Sequence, residues 1–129
     1  MFGKPVERML TLARQDSEIL AVILFGSRAR GEGTLTSDVD VCLVLLNRHY
    51  DHLHLSTKKL EYLKIGGLDV HIFQQLPLYI RRRVIKEGKV LFIRDEEALY
   101  EIAFRTAQTF EDFKHRYYAY LEQVAHVGS

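Results

Sequence analysis

The sequence predicts an α+β fold, and three stretches of it carry that expectation. Residues 20–25 (Leu-Ala-Val-Ile-Leu-Phe) form a wholly apolar run ending at Gly26, the pattern of a strand buried on both faces. Residues 38–45 alternate: Val39, Val41, Leu43 and Leu45 take one face, and Asp38, Asp40, Cys42 and Val44 take the other. From Asp95 to about Val127 nothing interrupts a helical pattern. At 129 residues the chain is one domain, long enough to bury a core.

The remaining elements follow in order. Pro5 suits the first turn of a helix over 5–17, where Val6, Met9, Leu10 and Ala13 recur at helical spacing. Residues 27–30 allow a turn of helix, and Gly31 and Gly33 mark a loop. Residues 47–52 are polar and read as loop. A helix over 53–63 is expected to turn Leu53, Leu60 and Leu63 inward, with Gly66 and Gly67 stopping it. Residues 68–73 read as a strand with Asp69, His71 and Phe73 on one face. Pro77 opens a helix to about Glu87, Gly88 suits its stop, and 89–93 is a short strand. Asp95 is an N-cap candidate, followed by Glu96 and Glu97 at a favourable helix terminus.

The last helix would run about 45 Å, against a radius of gyration of about 14 Å for a compact domain of this size. Ala103, Thr106, Phe110, Phe113, Tyr117, Tyr120 and Val124 step along it by threes and fours, an aromatic seam. Either the helix bends and packs its own core, or its distal part docks a partner or a second copy. The chain therefore divides into a core over 1–94 and a C-terminal helix over 95–129 within one domain.

Composition excludes some roles. A net charge of +1 gives no global attraction to nucleic acid or membrane. Apolar runs fall short of the roughly 20 residues that span a bilayer, and the first residues lack the apolar core of a signal peptide. The single Cys42, in an apolar run, is a buried small hydrophobe suited to a reducing compartment. A cytoplasmic protein is the expectation.

Chemistry concentrates in residues 25–41. Asp38 and Asp40, two apart on a strand, share a face and repel unless a cation neutralises them. Magnesium is commonly held by one or two carboxylates plus substrate phosphates. Asp69, on the neighbouring strand candidate, completes a triad suited to two-metal phosphoryl displacement. Upstream, the turn at Gly26-Ser27 after a strand offers backbone N–H groups to phosphate. Gly26 allows close approach, Ser27 adds a hydroxyl, and Arg28 or Arg30 offsets triphosphate charge.

Gly26-Ser27, ten intervening residues and Asp38-Val39-Asp40 resemble the signature of the DNA polymerase β-like nucleotidyltransferase superfamily. The fuller string, Gly-Ser-Arg-Ala-Arg-Gly and then Ser-Asp-Val-Asp, resembles the minimal nucleotidyltransferases, the MNT or MntA-type antitoxins. The resemblance implies a small mixed sheet flanked by helices. It implies Asp38, Asp40 and Asp69 as catalytic metal ligands, Asp69 alternatively as base, and Gly26 and Ser27 as phosphate contacts. It also implies two Mg²⁺ ions, ATP as substrate, and a HEPN-domain ribonuclease toxin as partner. The reaction would be transfer of AMP to a toxin tyrosine with release of pyrophosphate.

Two rivals stand beside this reading: a small transferase acting on a small-molecule or nucleic-acid hydroxyl, and an antitoxin that masks its toxin by binding alone. Other clusters weigh less. His49, His52 and His54 lack a zinc framework and read as a solvated loop. His71 shares the face of Asp69 and reads as lining the site. Arg81-Arg82-Arg83 reads as a solvated helix face, with an acidic partner or RNA as the alternative. Lys114, His115 and Arg116 beside Tyr117, Tyr118 and Tyr120 offer charge and stacking to RNA, but a partner-helix interface explains the periodicity better.

Overall fold

A computed structural model describes residues 3–26 and 39–127. Their elements are α1 (Lys4–Gln15), β1 (Ile19–Phe25), β2 (Val39–Leu45), α2 (His52–Leu63), β3 (Leu68–Ile72), a 3₁₀ turn (Phe73–Gln75), α3 (Leu78–Glu87), β4 (Lys89–Ile93) and α4 (Glu96–Val127). The strands form one mixed sheet in the order β3-β2-β1-β4. β1 pairs antiparallel with β2 and β4, while β2 and β3 run parallel. This is the small mixed sheet flanked by helices that the family resemblance implied.

Each face of the sheet carries a helical layer. Val22 and Leu24 of β1, Val41 and Leu43 of β2, and Val70 and Ile72 of β3 pack with Val6, Met9 and Ala13 of α1 and Leu55 and Tyr62 of α2. On the other face, Ala21, Ile23, Cys42 and Val44 pack with Val84 of α3 and Leu99 of α4. The continuous apolar character of β1 follows from its central position between two such layers. Leu20 and Ala21 both join the α3–α4 side because the β1–β2 register shifts between Ile19 and Ala21. Cys42 is fully buried, and burial pushes its thiol well above the usual range.

Helix α2 corrects one expectation. It begins at His52, because the Asp51 carboxylate accepts the His54 N–H at 2.7 Å and caps it. Leu53 and Leu60 point outward, 76% and 60% exposed; the buried stripe is Leu55, Lys58 and Tyr62. Lys58 and Tyr62 go inward because Asp16 waits there, accepting Lys58 Nζ at 2.7 Å and Tyr62 Oη at 3.0 Å. Glu18 accepts Lys58 at 2.9 Å and faces His54 Nε2 at 2.9 Å. Burial pushes the Asp16 carboxyl up, but the hydrogen bonds from Lys58, the Glu18 N–H and Tyr62 outweigh it and hold the carboxyl below its ordinary value.

Phe73, expected at the end of a strand, opens the 3₁₀ turn instead and is buried against the α3–α4 layer. Arg94, just past β4, lies at the start of β1, its Nε donating to the Ile19 carbonyl at 2.8 Å. Its Nη2 donates to the carbonyls of Ala13, Arg14 and Asp16, capping α1 from a distant part of the chain.

Asp95 caps α4 as expected, its Oδ1 accepting the Ala98 N–H at 3.2 Å. The helix is continuous over 32 residues, about 48 Å at 1.5 Å per residue. Only its first half packs on the body, through Leu99, Ile102, Thr106 and Phe110. Beyond Phe110 every position through His126 is exposed. The reading in which this helix folds back into its own core is therefore overturned. Phe113 stacks on Tyr117 at 6.0 Å, and both rings remain half exposed.

Candidate active site

The parallel pairing of β2 with β3 brings distant residues together. Asp40 stands opposite Asp69, and Cys42 opposite His71. Strand alternation puts Asp40 on the same side as Cys42 and Val44, and Asp69 on the same side as His71. His71 Nε2 lies 3.2 Å from Asp69 Oδ2 and 3.7 Å from Asp40 Oδ1. One donor atom from each of the three residues falls within 4.8 Å of the other two. The Phe25 ring meets His71 edge-on at 5.3 Å.

Among the described residues the site sets two carboxylates, Asp40 and Asp69, against one imidazole, His71. Burial pushes the Asp40 carboxyl up, the Asp69 carboxylate beside it pushes the same way, and His71 opposes both. Paired oxygen donors this close fit a hard divalent cation, which prefers oxygen ligands. The nitrogen of His71 suits such an ion less well, and its position between the carboxylates suits it to orienting them.

Gly26 closes the site from β1. Its φ of +80° lies in the left-handed region, and a Cβ there would come 2.5 Å from Asp40 Oδ2. A cavity of about 90 Å³ opens beside it, lined by Phe25, Gly26, Ile80, Arg83 and Glu87. The expected turn of helix at 27–30, and with it Ser27, Arg28 and Arg30, lies outside the described residues, as does Asp38.

The arginine triplet does not form the single solvated face expected of it. Successive helical residues point about 100° apart, so α3 sends the three in different directions. Arg83 lines the cavity beside Gly26, Arg82 covers the Phe110 ring at 5.1 Å, and Arg81 lines a separate cavity under α4. The 3.6-residue periodicity of α3 was the signal available in the sequence.

Comparison with known families matches residues 7–97 to the family described as Polymerase beta, Nucleotidyltransferase. The chain belongs to the polymerase β nucleotidyltransferase family. As a nucleotidyltransferase, it is similar to a candidate protein adenylyltransferase of Methanocaldococcus jannaschii, 37% identical over 105 residues that cover 78% of this chain and 76% of the relative. Solved structures share the nucleotidyltransferase's fold at lower identity. A chain of the complex between tri-AMPylated Shewanella oneidensis HEPN toxin and MNT antitoxin superposes with a TM-score of 0.68 at 15% identity, covering 96% of this chain and 98% of that one. A chain of a toxin–antitoxin complex with AMP-PNP gives 0.67 at 16%, covering 92% and 97%. The family match ends at Glu97, so nearly all of α4 lies beyond it.

Among the described residues no helix is long and apolar enough to cross a membrane.

Proposed function

We propose that this nucleotidyltransferase is the antitoxin of a HEPN/MNT toxin–antitoxin pair, a protein adenylyltransferase that moves AMP from ATP to a tyrosine of its HEPN ribonuclease partner. The observation that carries the reading is the in-register meeting of Asp40 and Asp69, with Gly26 packed against Asp40. The adenylyltransferase description of the Methanocaldococcus relative and the HEPN–MNT complexes among the fold neighbours support the choice of acceptor.

Asp40 and Asp69, together with Asp38, would hold Mg²⁺, two ions being expected, which when bound neutralises triphosphate charge and favours ionisation of the acceptor hydroxyl. The rest of the chemistry falls to this chain's own residues. The tyrosine oxygen forms a bond to the α-phosphorus of ATP. The bond from that phosphorus to the bridging oxygen breaks, and pyrophosphate leaves. The phenolic proton passes to a carboxylate; Asp69, half exposed and held by His71, is accessible for it. Gly26 leaves room for the phosphates, and Arg83 offers them positive charge from α3. Ser27, Arg28 and Arg30 remain the proposed contacts on the turn itself.

The body over 1–94 thus handles nucleotide and metal, and the distal part of the helix over 95–129 docks the toxin. The exposed aromatic face of α4 also favours a second reading, in which docking alone masks the toxin. Incubation with labelled ATP, Mg²⁺ and the neighbouring HEPN protein separates the two. Label on the neighbour supports transfer; a tight complex without label supports masking. The Asp38→Asn, Asp40→Asn double variant should lose transfer by at least ~100-fold, since even residues that only support metal ligands are worth 10–100-fold. Undiminished transfer by that variant sinks the metal assignment.

A further inference from the structure

A second cavity, of about 150 Å³, lies where α3, α4 and the end of the sheet meet, lined by Asn47, Gln74, Arg81, Arg105 and Thr106 among others. It is separate from the Asp40–Asp69 site. Gln74 bonds Leu45 through both its amide nitrogen and its oxygen, fixing the cavity at the C-terminal end of β2. Asp40 sits near the other end of that strand, about 16 Å away at 3.3 Å per residue.

The charges in this cavity are unbalanced. Arg81 and Arg105 both line it, and among the described residues no carboxylate does. Arg105 is paired with Glu101 at 2.6 Å on the exposed side of α4. Arg81 has no such partner among the described residues, and its Nε is buried without a hydrogen bond. An N–H of a charged group shut away from water and unmatched by an acceptor is costly, and native proteins rarely leave one so. Gln74 spends one amide N–H on Leu45, and Thr106 donates its hydroxyl proton to the Ile102 carbonyl. The unspent donors are therefore the guanidinium of Arg81, the remaining N–H groups of Arg105, the second N–H of Gln74 and the Asn47 amide.

We propose that this cavity is a phosphate-binding site, taking inorganic phosphate or a phosphate monoester between Arg81 and Arg105. Donors arrive from α3, from α4 and from the loop after β2. That spread matches a tetrahedral oxyanion, whose oxygens point several ways, better than a planar carboxylate, which one guanidinium fork saturates. A phosphate there would compensate Arg81, while Arg105, already paired with Glu101, would lend its remaining N–H groups. Because the ligand would tie α3 to α4 at the point where α4 leaves the body, it would stiffen the root of the projecting helix.

The test needs neither ATP nor magnesium, so it stands or falls apart from the transfer reaction. The arginine Nε–Hε resonances of the metal-free protein are followed by NMR during titration with inorganic phosphate, with AMP, with acetate, and with sodium chloride at matched ionic strength. The Arg81 resonance should move saturably with phosphate at about millimolar affinity. Arg105→Gln should weaken that response about tenfold. A saturable response to AMP as well extends the site to monoesters and supports the proposal. An Arg81 resonance that stays still, or follows sodium chloride equally, overturns it. So does acetate acting as well as phosphate, which would make the cavity a carboxylate site. Thermal melting of Arg81→Gln gives a second readout: phosphate should raise the melting temperature of the wild type more than that of the variant, since stabilisation by the solvent and by the site beside Gly26 is common to both, and an equal rise in both refutes the site.

Discussion

Gly26 and Asp40 are in contact across the β1–β2 pair so closely that even a methyl group on Gly26 would fall 2.5 Å from the carboxylate. The glycine also holds φ at +80°, a conformation that costs an L-residue about 1–2 kcal/mol. Gly26→Ala should therefore act twice: the melting temperature drops by a few degrees (~4 °C per kcal/mol at this size), and the displaced Asp40 lowers nucleotidyl transfer by about 100-fold. A variant that melts early but transfers AMP at the wild-type rate would show that the contact is structural only.

Arg83 should affect nucleotide affinity more than turnover. It faces the cavity beside Gly26 from α3 and is more than half exposed, so its removal costs little packing. Arg83→Ala is expected to raise the KM for ATP about tenfold, as loss of a charged phosphate contact does, with kcat within about twofold. Arg83→Lys should recover part of the loss. A fall in kcat at unchanged KM would place Arg83 outside the nucleotide contacts.

The cluster of Asp16, Glu18, Lys58 and Tyr62 predicts how stability changes in acid. The folded-state pKa of Asp16 is held below its ordinary 3.8. Its contribution to stability is therefore full above that value and is lost as pH falls through the depressed one. Asp16→Asn should flatten the acid limb of a urea-denaturation series measured between pH 5 and about pH 2. Lys58→Met, which leaves two carboxylates facing a buried tyrosine, should cost about 3 kcal/mol at neutral pH. Stability unchanged in Lys58→Met would mean that the ion pair is offset by its desolvation.

Phe113 and Tyr117 supply the contrasting case of large side chains whose loss the fold should not notice. Each is 50% exposed on the free part of α4. Phe113→Glu with Tyr117→Glu should leave melting within about 1 °C, as surface changes away from packed features do. If the proposed HEPN partner docks on this face, the same pair should sharply reduce co-purification with it. Retained binding would place the docking surface elsewhere.

What could be read from the sequence depended on whether the signal was local. The alternation of Val39, Val41 and Leu43 with Asp40 and Cys42 placed both faces of β2 correctly, because side-chain direction in a strand has a fixed period. The caps at Asp51 and Asp95 are likewise local chemistry, and Asp95 was legible from its neighbours. Leu53 and Leu60 were misplaced because hydrophobicity cannot reveal that Asp16, 42 residues before Lys58, has an ion pair to offer the other side of α2. Asp69 was singled out from its place on the next strand candidate, and the family resemblance added its role as metal ligand or base. Its meeting with Asp40 depends on a parallel pairing between strands separated by a whole helix, which no short-range pattern encodes.

That pairing carries a safeguard. Were β3 to slip by one residue against β2, Asp69 would turn to the side now held by Val70 and Ile72, among Leu43, Leu55 and Tyr62. A carboxylate forced into that oil would be prohibitively unstable. Misassembled molecules are thus discarded by folding itself, and every chain that reaches its stable state arrives with the two aspartates already aligned.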